Sequence, residues 1–172
     1  MELLQVAADN ARVVDFYKTA SGLSFTLLGL WWVVIQVRYK DANATPAMRR
    51  HAYGVLVFFL MPGMMSLFSI VDDAGTWWRV VFGITGGMGL LEIVLFYSAA
   101  GATMTAPAKA LRVVGVLDYV AILIVCADPK LPLKLNLGLT GLQFEAILTG
   151  LLIVIGIHLV FLAITEDAQP ST

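Results

Sequence analysis

One cysteine in 172 residues leaves no partner for an internal disulfide, and it excludes both a disulfide framework and any cysteine-rich metal site. Cys126 lies in an apolar run, where a lone thiol behaves as a small buried hydrophobe. Charge is nearly as scarce. Only 13% of the residues are charged, 11 basic against 12 acidic, for a formal balance of −1. That balance offers no electrostatic footprint for nucleic acid. The two histidines are not at ligand spacing, so no metal site is expected. No HExxH, GxSxG, phosphate loop or CxxC occurs; the sequence therefore indicates no catalytic residue and no cofactor.

Apolar residues fill the space that charge leaves. They make up 59% of the chain, and the mean hydropathy is +0.86. Soluble domains have about half apolar and about a quarter charged residues. A globule of this length leaves about a third of its unfolded surface exposed, so lipid has to cover the remainder. The expectation is an all-α integral membrane protein, a single transmembrane domain over 1–172 with about five helices and short loops.

A spanning helix needs about 20 mostly apolar residues, and five stretches qualify: roughly 16–37, 52–71, 77–100, 108–127 and 141–165. Residues 1–15 alternate at helical spacing and read as a short amphipathic lead-in on the membrane surface. The first stretch is read as retained and not as a signal peptide, because Glu2, Asp9 and Asp15 precede it and Arg38 and Lys40 follow as a stop-transfer pattern. Thr45-Pro46 is a good helix start. Pro62-Gly63, centred in the second stretch, predicts a kink or hinge. Asp72 to Gly75 forms a polar turn, Thr76 can cap the third helix, and Gly101 can end it. The pairs Trp31-Trp32 and Trp77-Trp78 sit where indoles favour the headgroup level.

Between 130 and 139 the leucines at 131, 133, 135, 137 and 139 fall on every second residue. Such alternation predicts an extended segment, placed at the interface because unpaired backbone is excluded from hydrocarbon. Thr140-Gly-Leu-Gln143 offers a capping box for the last helix. Arg38, Lys40, Arg49 and Arg50 flank the first loop, which favours a cytoplasmic first loop, the N-terminus outside and the C-terminus in the cytoplasm.

Ionisable side chains within spans usually face the bundle interior or water. Asp118, near the centre of the fourth stretch, and Glu92, deep in the third, are the candidates for an ion pathway or proton relay. Arg112 is six residues from Asp118 and off its face, and is expected to snorkel to the headgroups. Glu145 is a weaker candidate, since a carboxylate five residues past the cap reads as solvated. His158 is weaker too, a lone imidazole without a ligand partner. Gly83 and Gly87 form a small-xxx-small pair that suits close helix packing.

Two functional classes fit this pattern. One is a homo-oligomeric ion channel or transporter subunit with carboxylates around a shared axis. The other is a non-transporting accessory or assembly subunit of a larger membrane complex, in which the acids are interhelical glue. A membrane-embedded enzyme ranks third. The expected partners are the lipid bilayer, further copies or other membrane subunits, and no nucleic acid.

Overall fold

The computed structural model describes residues 2–38, 46–71, 76–100 and 105–166, and in them the chain is helical apart from short connections. Five long helices form the bundle: α1 (Glu2–Arg38), α2 (Pro46–Ser69), α3 (Trp77–Ala100), α4 (Ala106–Ala127) and α6 (Gly141–Glu166), with a single turn, α5 (Leu131–Lys134), before the last. All five long helices contain a stretch apolar enough to cross a membrane. Large side chains such as Leu30, Leu91, Leu117 and Phe161 are more than half exposed on the outside of the isolated chain, where lipid and not water is their fitting solvent. The protein is an integral multi-pass membrane protein.

The expected boundaries hold to within a few residues, with two differences. First, α1 runs unbroken from Glu2, so the lead-in is not a separate surface helix. At 37 residues it is about 55 Å long, well beyond a hydrocarbon layer of about 30 Å. Second, the segment 130–139 is not extended. Lys134 N–H donates to the Lys130 carbonyl and Leu137 N–H to the Pro132 carbonyl, which folds the backbone into α5 and a turn. Asn136 (φ 56°) and Gly138 (φ 67°) take the left-handed conformation that reverses the chain. Asp128 anchors this arrangement: its carboxylate accepts from the Lys130 N–H at 3.2 Å and from the Lys134 ammonium. The Lys134 hydrogen bond, first among the causes, holds the Asp128 carboxyl below the usual range. Alternation of leucines gave the wrong period here because local hydrogen bonds decided the backbone.

Thr140 does cap α6 as a box. Gln143 N–H donates to Thr140 Oγ1 at 3.2 Å, and Thr140 N–H donates to Gln143 Oε1 at 2.9 Å. The Thr45 cap, the turn at 72–75 and the Gly101 terminator lie outside the described residues. Helix α2 continues through Pro62.

Helix α2 is the centre of the bundle, with 72% of its span residues buried against 22% for α1. It packs against α1, α3 and α6, while α4 packs against α3 and α6. Three aromatic rings fill glycine gaps between helices. Tyr119 of α4 lies over Gly89 of α3, Phe58 of α2 over Gly115 of α4, and Phe59 of α2 over Gly156 of α6. A Cβ at those glycines would stand 2.5, 2.7 and 2.8 Å from the ring facing it, closer than atoms can approach. Gly63 is a fourth close contact, filled by Ser24 and Phe25 of α1. Gly83 and Gly87 are not among them: an added Cβ at either meets nothing within 4 Å. Their face is open within one copy, so the expected close packing is carried inside the chain by Gly89, Gly115 and Gly156 instead.

Gly89→Ala and Gly115→Ala are expected to lower stability by about 1–3 kcal/mol through overpacking, even though alanine favours helix. Gly83→Ala and Gly87→Ala should leave it unchanged or slightly raised. Unfolding in mild detergent measures the four; equal effects at the filled and the open glycines would contradict the packing described.

Candidate functional site

Two of the acids lie inside the bundle. Glu145 is fully buried at 0% exposure and Asp118 at 4%. The expectation that Glu145 is solvated is therefore overturned. Its position only about 6 Å from the start of α6 would be wet on a bare helix end, but here that end is covered. Tyr17 of α1 donates its hydroxyl to the Leu142 carbonyl at 2.9 Å. Buried Pro132 of α5 and the close stacking of Gly141 on the Pro129 backbone add cover from the loop side. Phe16, Tyr17, Phe82 and Trp78 then meet edge to face around the same end.

Within this pocket the Cys126 thiol donates to Glu145 Oε1 at 3.7 Å, a long contact suited to sulfur. Glu145 Oε2 has no hydrogen-bond partner among the described residues, and neither does the Thr149 hydroxyl one helical turn further on. Arg79 of α3 closes the rim, donating from Nε to the Cys126 carbonyl at 2.8 Å and from Nη2 to the Ala127 carbonyl at 3.1 Å. Those are two of the four carbonyls a helix end leaves unpaired, and the guanidinium suits the negative end of the helix dipole.

Asp118 lies deeper, about 13 Å from that end of α4, level with Thr149 on the facing helix. Neither of its carboxyl oxygens has a hydrogen-bond partner among the described residues. Tyr119, next to it in sequence, seats its ring over Gly89 of α3, three residues before Glu92. The Tyr119 hydroxyl is buried without a partner among the described residues. Glu92 is half-buried; its Oε1 accepts from the Tyr53 hydroxyl at 3.4 Å, while Oε2 has no partner among the described residues. Glu145, Asp118 and Glu92 therefore descend through the bundle with hydroxyls of Thr149, Tyr119 and Tyr53 between and beyond them.

The remaining expected residues fall elsewhere. His158 is exposed on the outside of α6, its Nδ1 bonded to the Val154 carbonyl at 2.8 Å, away from the acids. Pro62 and Gly63 belong to the α1–α2 contact. Arg112 does not snorkel: it is 2% exposed, with its guanidinium packed over Gly54 of α2. No group of three or more His, Cys, Asp or Glu that could hold a metal is found among the described residues. Sequence reasoning missed Tyr17, Arg79 and Tyr119 as parts of the site, since each is joined to it across helices. For Glu145 a signal was present, with Thr149 and Leu152 continuing its face at i+4 and i+7.

No known family, curated protein or solved structure matches this chain.

Arg79→Gln should loosen the last turn of α4 and open the pocket rim, because a hydrogen bond from a charged donor contributes about 1.5–3 kcal/mol. Cys126 is the sole cysteine and reports directly: its thiol should resist maleimide in the parent and react several times faster in Arg79→Gln. Equal rates in the two would mean that Arg79 does not close this end.

Proposed function

We propose that this protein conducts protons across the membrane through the interior of a single copy, with Glu145, Asp118 and Glu92 as successive carriers. The observation that supports this most is the pair Asp118 and Glu145: two deeply buried carboxyls on facing helices, with oxygens that no described protein group satisfies. A buried polar atom without a partner costs about 1–3 kcal/mol, so a sequence selected only for packing would not keep several. Internal water supplies the missing partners most economically, and water beside carboxyls and hydroxyls is the medium in which protons hop.

The carriers lie about 6, 13 and 22 Å from one end of their helices, a spacing that Thr149 and Tyr119 shorten. The proton leaves one carboxyl as the next oxygen accepts it, so no charge has to cross the bundle as a hydrated ion. The interior suits that distinction. Phe58, Phe59 and Tyr119 fill its middle. With the N-terminus outside, as the loop charges suggest, Glu145 is the outer carrier and Glu92 the inner one. In this reading the acids act as a line within the protomer, where the sequence suggested a ring around a shared axis.

A second reading, an accessory subunit, draws support from the open face at Gly83 and Gly87, which another helix could approach closely.

Asp118→Asn and Glu145→Gln keep size and hydrogen bonding but cannot take up and release the proton. Both should fold like the parent, losing no more than about 1 kcal/mol of stability, while proton flux into proteoliposomes carrying a pH-sensitive dye falls on the order of a hundredfold. Variants that conduct like the parent, or a parent that passes no protons, would overturn the proposal and leave the accessory reading.

A further inference from the structure

A groove of about 370 Å³ opens between the end of α1 and the start of α2. It is lined among others by Gln36 and Arg49 near the connecting loop, by Trp32 and Tyr53 below them, and by Ile35 and Leu56. Along the helix axes Arg49 lies about 5 Å and Leu56 about 15 Å from the first residue of α2. The groove thus passes from guanidinium and amide through two amphipathic rings to aliphatic walls, in the same order and over the same depth as a lipid passes from headgroup to acyl chain.

Arg49 is exposed and makes no hydrogen bond or ion pair with the described residues. Its planar fork matches the oxygens of a phosphodiester, and Arg50 adjoins it. Trp32 is 52% exposed and Tyr53 42%, on a face where α1 and α2 otherwise pack closely. Indole and phenol prefer the headgroup level of a bilayer, so their rings flank the region where a glycerol backbone would lie.

We propose that this groove binds an anionic phospholipid, with the headgroup phosphate on Arg49 and Gln36, the glycerol region between Trp32 and Tyr53, and an acyl chain along Ile35 and Leu56. The inference is independent of proton conduction. It does place the lipid against Tyr53, whose hydroxyl meets Glu92 at 3.4 Å.

The test uses the full chain in phosphatidylcholine vesicles containing a minor fraction of phosphatidylglycerol, with one or the other lipid brominated on its acyl chains. The Trp32 contribution to quenching is the difference between the parent and Trp32→Phe. Brominated phosphatidylglycerol should be enriched at Trp32 about fivefold over phosphatidylcholine at equal mole fraction, the factor expected of one arginine near an anionic lipid. The preference should vanish in Arg49→Gln, persist in part in Arg49→Lys, and in the parent decline as salt screens the charge. Equal quenching by both lipids, a preference that survives Arg49→Gln, or a Trp32 that neither lipid quenches because a second copy covers it would each overturn the assignment.

Discussion

Three aromatic rings seated in three glycine gaps are the contacts on which the rest of this bundle depends. In a bilayer the hydrophobic effect does not press helices together, since lipid tails are as apolar as leucine; association rests on van der Waals packing and hydrogen bonds. Tyr119 over Gly89, Phe58 over Gly115 and Phe59 over Gly156 tie α4 to α3, α2 to α4, and α2 to α6. Each ring occupies space that a side chain at the glycine position would need. The middle of the bundle is filled as a result, and Asp118 and Glu145 are withdrawn from lipid.

That enclosure carries an energetic penalty. An acid at the centre of a span costs about 2.5–3.5 kcal/mol on insertion scales, and an apolar residue of similar size would remove the cost. Simple hydroxyls show how polar groups are accommodated cheaply: Thr85 and Ser69 return their bonds to Val81 and Met65 one turn back on their own helices. Asp118 has no such local solution, and Glu145 finds only a thiol for one oxygen. The hydroxyls of Thr149 and Tyr119 beside these acids likewise lack partners among the described residues, and acids and hydroxyls together underlie the proposed relay.

Much of this architecture was legible in the residues alone. Five apolar stretches located the helices, since hydrocarbon thickness leaves little choice of length, and Thr140 and Gln143 announced a cap that formed as expected. What failed did so for identifiable physical reasons. Alternating leucines at 130–139 suggested a strand, but Asp128 bonding to Lys130 and Lys134 wound the chain into a turn. Gly83 and Gly87 carried the familiar small-residue spacing and present an open face to a helix outside this copy, while within it the glycines that receive rings are Gly89, Gly115 and Gly156, each paired with an aromatic residue on another helix. Depth along a single helix demoted Glu145, because it could not register the cover supplied by Tyr17 and the loop before α6. Asp118 was legible as an acid far from either helix end; that it faces the interior of its own copy depended on which way α4 turns against α3 and α6.

Proton passage inside a single copy makes a definite prediction for how activity depends on copy number. Protein is reconstituted at densities where most vesicles hold no chain or one chain, and the fraction of vesicles that acidify is counted. If the line is complete within a protomer, that fraction follows the Poisson probability of holding at least one chain. A fraction that rises with the square or a higher power of protein density would show that several copies must assemble before protons pass, and would contradict a path inside the single bundle.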